Sequence, residues 1–173
     1  EPLLMAPVPR MALVLGKWGA VASVGMGVAV LSCFSFLPGQ WLLRSETLSA
    51  MFQFGWREAL QFLALLLPLA ALLSALLMAV AIRCRSFKEA QANTTVVVLV
   101  ASLLPMVTAF NQGGEQPWHL WVPALAQVTL MQRVLGGEAL GAADLLLPLA
   151  VSAAVAALCL ASVARQLRMA VWK

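Results

Sequence analysis

Tyrosine is missing altogether from these 173 residues, and histidine occurs once, at His119. Charge is almost as scarce. Lys, Arg, Asp and Glu make up 10% of the chain, against about 25% in a soluble globular domain. So few charges cannot cover the surface of a water-soluble fold, which excludes that class in favour of a lipid-embedded one. Cysteine is limited to Cys33, Cys84 and Cys159, far apart and without CxxC or Cys/His spacing, so neither a disulfide framework nor a zinc site is implied. No Walker A motif occurs, because Gly16-Lys17 lacks the upstream glycine, and no HExxH or GxSxG is present. The chain is therefore expected to be no enzyme and to carry no cofactor or metal. The net charge of +4 and pI near 9.5 raise nucleic acid as a partner. The basic residues flank apolar runs rather than forming a stripe, which argues against it and for membrane orientation signals.

What the chain does have is long apolar runs: 62% of it is hydrophobic and the mean hydropathy is +0.93. Four uncharged stretches, at about 18–37, 59–82, 92–110 and 145–163, approach the ~20 residues needed to cross a bilayer. The expected fold is all-α, a polytopic membrane bundle of four transmembrane helices with amphipathic or re-entrant helical pieces. Lys17 and Trp18 open the first span, Trp18 as an interfacial anchor, and Pro38-Gly39 closes it. Pro68 and Pro105 are candidates to kink the second and third. Small residues spaced by four mark three candidate packing faces: Gly19, Ser23 and Gly27; Ala71, Ala75 and Ala79; Ala153, Ala157 and Ala161. Residues 40–58 mix aromatics with Arg44, Glu46, Arg57 and Glu58 and read as an interfacial segment or loop. Residues 111–144 carry Glu115, His119, Arg133, Glu138 and Asp144 between glycine breakers. Arg at mid-bilayer costs about 2.5–3.5 kcal/mol on insertion scales, so this region reads as a re-entrant or interfacial segment shielded by protein, not a fifth span. His119, beside Trp118 and Trp121, reads as interfacial. No expected span holds an ionisable residue near its centre, which argues against an ion-coupled carrier.

With four spans, Arg10, Lys17, Arg83, Arg85, Lys88, Arg165, Arg168 and Lys173 fall on one side, and Arg44, Arg57 and Arg133 on the other. The positive-inside rule then places both ends and the loop at 83–91 in the cytoplasm, and residues 111–144 outside.

Three segments resemble one family in order. EPLLMAPVPR followed by LVLGK is similar to the cytoplasmic segment before the third span of ABC-2 type exporter permeases of the NatB-like, sodium-efflux kind. RSFKEAQ, at 85–91, resembles the family's next cytoplasmic loop, and VPALAQVTLMQRVLGGE, at 122–138, its external segment before the last span. Ala126-Gln127 departs from the Asn common there. Members typically have six spans, so a chain opening on Glu1 rather than Met is expected to be a C-terminal four-span part. The resemblance implies a permease subunit in a bacterial cytoplasmic membrane. Two such halves, identical or not, form a translocation path, and a separate cytoplasmic ABC ATPase drives it. By position, the ATPase would meet residues 1–17 through Glu1, Leu3, Leu4, Pro7, Arg10 and Lys17, and residues 83–91 through Arg85, Lys88 and Glu89. The alternative is a non-transporting membrane scaffold whose loop recruits a cytoplasmic partner.

The orientation has a direct check at Cys84. A membrane-impermeant thiol reagent added outside intact cells is expected to leave Cys84 unlabelled, and to label it after permeabilisation. Labelling from outside would reverse the topology.

Overall fold

A computed structural model describes residues 10–42, 55–110, 120–136 and 141–169. They form five α-helices: α1 (Arg10–Leu42), α2 (Trp56–Ala81), α3 (Phe87–Phe110), α4 (Pro123–Leu135) and α5 (Ala142–Met169). No strand occurs among the described residues. Three of these helices are long and apolar enough to cross a membrane, over Met11–Phe36, Trp56–Ala81 and Ala143–Leu167. Among the described residues α3, a helix of 24 residues, is not one of the three. Lys88, Glu89, Gln91 and Asn93 make its first two turns polar, and residues 94–110 follow without a charge.

Several boundaries move from where charge and proline placed them. α1 starts at Arg10, so residues 10–17 belong to the first long helix and Lys17 sits exposed on its side. It also runs past Pro38 to Leu42. A proline removes one backbone bond, and a helix within a protein-lined membrane bundle survives that. Indeed each of the four long helices holds one interior proline: Pro38, Pro68, Pro105 and Pro148. Trp56 to Glu58 form the first turn of α2 rather than an interfacial loop, and Arg165 lies within α5. α4 spans 13 residues, ~20 Å at 1.5 Å per residue, too short to cross a ~30 Å hydrocarbon core.

α2 is the centre. It packs on all four other helices, most extensively on α1 and α5. One core cluster joins Val14 of α1, Leu72, Ala75 and Ala79 of α2, and Ala156, Leu160 and Val163 of α5. A second joins Cys33 of α1, Ala59 and Phe62 of α2, and Val134 of α4. The two clusters sit at opposite ends of α2, so α1 runs antiparallel to it, whereas α5, whose later half joins the cluster at the end of α2, runs parallel to it. The start of α1, the end of α2 and the end of α5 thus share one end of the bundle. At the other end the Phe34 and Trp56 rings meet at 6.0 Å.

The small-residue faces divide. Ala75 is fully buried, at 0% exposure, and Ala79 is buried beside it. The Ala71 carbonyl accepts a hydrogen bond from Trp18 Nε1 at 3.0 Å, so Trp18 ties α1 to α2 from within rather than anchoring at an interface. Ser23 and Gly27 are exposed, and a Cβ on Gly19 or Gly27 would meet nothing within 4 Å. α1 packs instead through Val14, Ala22, Gly25 and Cys33, with a Cβ on Gly25 falling 3.7 Å from Ala70 Cβ. Ala153, Ala157 and Ala161 are likewise exposed, and α5 packs through the neighbouring stripe of Pro148, Ser152, Ala156, Leu160 and Val163. All sides of these helices are apolar, so periodicity of small residues does not by itself pick the side that meets protein.

Ala75→Leu is expected to destabilise the bundle by about 1–3 kcal/mol, because the extra volume has no room between α1, α2 and α5. Ala157→Leu, on an exposed face, is expected to stay within about 0.5 kcal/mol of wild type. Thermal unfolding of both variants in detergent checks the contrast.

Candidate functional site

The connection between α2 and α3 is short and tightly bonded. α2 ends on Ile82, whose N–H donates to the Met78 carbonyl at 3.1 Å. The Arg83 and Cys84 N–H groups donate to the Val80 and Ala81 carbonyls at 3.1 and 3.2 Å. Cys84 Sγ donates to the Val80 carbonyl at 3.4 Å and accepts from Asn93 Nδ2 at 3.3 Å. α3 then opens on a reciprocal cap. Ser86 Oγ accepts the Glu89 N–H at 3.2 Å, and Glu89 Oε2 accepts the Arg85 N–H at 3.0 Å. One orphan donor of the helix and the amide of the residue before its cap are satisfied in this way.

That cap separates the three expected contact residues in this loop. Glu89 is occupied at the helix start, where its charge also complements the helix dipole. Arg85 and Lys88 are exposed, as is Arg83. Between them stands Phe87, 83% exposed, an aromatic that charge-based reading of the loop passes over. Its signal in the sequence is position: a large apolar residue among cations at the first turn of a helix.

Of the other expected contact residues, Glu1, Leu3, Leu4 and Pro7 lie outside the described residues. Arg10 begins α1 and Lys17 is exposed one to two turns further on. Both belong to the same end of the bundle as the 83–88 connection. Basic residues of α1, of the connection and of α5 (Arg165) therefore gather at that end.

The acidic residues follow a single rule. Glu58, Glu89 and Asp144 are the three acids in the described part, and each sits in the first turn of a helix. Glu58 Oε2 accepts the Gly55 N–H at 2.8 Å, and Asp144 Oδ2 accepts the Gly141 N–H at 3.3 Å. Their spacing, an N-cap followed three residues later by Glu or Asp, is visible in the sequence as GWRE, SFKE and GAAD. Among the described residues no group of three His, Cys, Asp or Glu could hold a metal.

The short helix α4 occupies the interior. It packs on α2, α3 and α5, and Leu125, Ala126, Gln127, Thr129, Leu130 and Val134 are all buried. Pro123 at its first turn supplies a pre-set φ where no N–H partner exists. Within the expected 111–144 segment, α4 thus has one side covered by protein. Residues 111–119 and 137–140, including His119, lie outside the described residues.

Long apolar helices packed through small residues, with acids confined to helix starts, define a multi-pass helical membrane protein. A curated protein, the ABC transporter permease protein NatB of Bacillus subtilis (strain 168), is 35% identical to this chain over 120 residues. The match covers 67% of this chain, which spans only 30% of that relative's length. No protein-family model matches the chain, and no solved structure matches it. The similarity and the helices together support a transporter permease in general.

Replacing Glu89 by Ala is expected to destabilise the start of α3 by about 1 kcal/mol, while Glu89→Gln retains most of the cap. Hydrogen exchange at the amides of residues 85–90 checks this: faster exchange in the Ala variant alone.

Proposed function

We propose that this chain is the C-terminal membrane part of the permease of an ATP-driven ABC-2 type exporter. Together with a second permease half it forms the translocation path, and a separate cytoplasmic ATPase drives it. The observation that carries the reading is the similarity to a permease over 120 residues. The gathering of exposed cations at one end of the bundle supports it. Under the positive-inside rule that end faces the cytoplasm, where an ATPase would sit.

In this reading α3 is the fourth crossing. The two core clusters place the end of α2 and the end of α4 at opposite ends of the bundle, so α3 and α4 together must return the chain across it. A helix of 24 residues, ~36 Å long, is sufficient. The polar opening of α3 then belongs at the membrane surface, with Arg85, Phe87 and Lys88 projecting toward the partner. Phe87 is the anchor: a bulky, rigid apolar side chain amid cations is a common form of interface hot spot. Residues 1–17 provide the other contact. Glu89 stays in the contact set, exposed while its carboxylate also bonds the Arg85 N–H.

The test is co-purification and coupled hydrolysis with the ATPase encoded beside the permease. Phe87→Ala is expected to weaken the complex by about tenfold or more, as truncation of a hot-spot aromatic does. Arg85→Ala and Lys88→Ala are each expected to cost at most about fivefold, the reach of an exposed ion pair. Unchanged affinity and unchanged coupled hydrolysis in all three variants, and after deletion of residues 1–10, would remove the coupling assignment. A stable complex without transport would favour the scaffold reading.

A further inference from the structure

Two polar side chains in the interior have no partner. Gln127 on α4 is 1% exposed, and neither its Nε2 nor its Oε1 makes a hydrogen bond. Ser152 on α5 is also 1% exposed, with its Oγ unbonded. α4 and α5 pack on each other across the short connection that joins them. Gln127 lies eight residues, ~12 Å, before the end of α4, and Ser152 ten residues, ~15 Å, after the start of α5. The two groups thus stand at comparable distances from that connection, on helices in contact.

These omissions are unusual within this molecule. Ser74 bonds the Ala70 carbonyl, Thr129 the Leu125 carbonyl, Ser162 the Cys159 carbonyl, and exposed Thr95 and Ser102 do the same one turn back. A hydroxyl in a membrane helix ordinarily turns to its own backbone. Ser152 does not. The residue one turn before it, Pro148, is fully buried and has no N–H, so the Asp144 carbonyl lacks its usual helical donor. That carbonyl lies two turns, ~12 Å, before Ser152, so what the two packed helices bring to comparable depth is an unbonded carboxamide and an unbonded hydroxyl. Native interiors rarely leave such groups unbonded, and water or a ligand is the usual explanation where the chain supplies no partner.

We infer that Gln127 of α4 and Ser152 of α5 form a buried binding site for a neutral group that both donates and accepts hydrogen bonds. A carboxamide presents two donors and an acceptor, and a hydroxyl one donor with acceptor capacity. Such a set matches water, or the hydroxyl or amide of a small uncharged solute. Among the described residues no carboxylate joins it, since Glu58, Glu89 and Asp144 are held at helix starts. A cation would lack its customary carboxylate there. The inference stands on burial and bonding and does not depend on the permease reading.

The test uses the full-length protein in detergent and in membranes. An occupied site makes Gln127 a satisfied residue, so Gln127→Leu and Ser152→Ala are each expected to lower the melting temperature, by a few degrees. A rise in melting temperature for Gln127→Leu would overturn the proposal, because replacing a truly unbonded buried amide by an isosteric apolar group is neutral or stabilising. In a variant with Cys33, Cys84 and Cys159 replaced by Ala, Gln127→Cys and Ser152→Cys are expected to react with 2-hydroxyethyl methanethiosulfonate about tenfold faster than Leu130→Cys, a difference of about 1.4 kcal/mol. Leu130 is equally buried on the same helix and serves as the dry control. Equal rates at all three positions would also overturn it. Glycerol that slows the first two reactions identifies a solute site, and rates unchanged by glycerol identify a water site.

Discussion

Close approach of three helices at Ala75 sets the geometry of everything else. In lipid, apolar side chains gain nothing by leaving hydrocarbon for protein, so association rests on dense contact between helices. A methyl at position 75 lets α1 and α5 close on the same face of α2. The Trp18 bond to the Ala71 carbonyl fixes the register of α1 against that face. With α1 antiparallel and α5 parallel to α2, the start of α1 and the ends of α2 and α5 are gathered, and the far end is left to receive α4.

A membrane bundle must also satisfy the N–H groups at each helix start, and here acids are used for that. Glu58, Glu89 and Asp144 each bond back to the residue three or four positions before them. The consequence for function is a separation of labour. Among the described residues, carboxylates hold helix starts and exposed cations gather at one end of the bundle. Glu89 illustrates how the same residue reads differently at two levels. In the sequence it is part of a charged loop and a contact candidate; in the fold it is the structural start of α3.

The permease reading and the buried polar site address different parts of this arrangement. The exposed Arg85, Phe87 and Lys88 concern how motion is delivered to the bundle. Gln127 and Ser152 concern what the interior can accommodate. α4 connects the two regions physically, since it packs on α3, which begins at the loop, and on α5, which carries Ser152.

The amino-acid sequence by itself determined the membrane class, the helical content and the places where the long helices lie. Uncharged runs of this length have few alternatives in lipid, because backbone groups must bond within their own segment. It determined the charged stretch at 83–91, of which the structure makes 87–91 the start of α3, and the capping spacings GWRE, SFKE and GAAD were there to be read. Only the tertiary structure decided which side of each helix meets protein. Gly25 rather than Gly27, and Ala156 rather than Ala157, face the bundle, and these alternatives differ by one or two positions on helices that are apolar all round. It likewise decided that α1 continues through Pro38, that Trp18 turns inward, and that Gln127 and Ser152 are buried without partners. Each of those outcomes depends on what another helix places nearby, and local sequence carries no record of that.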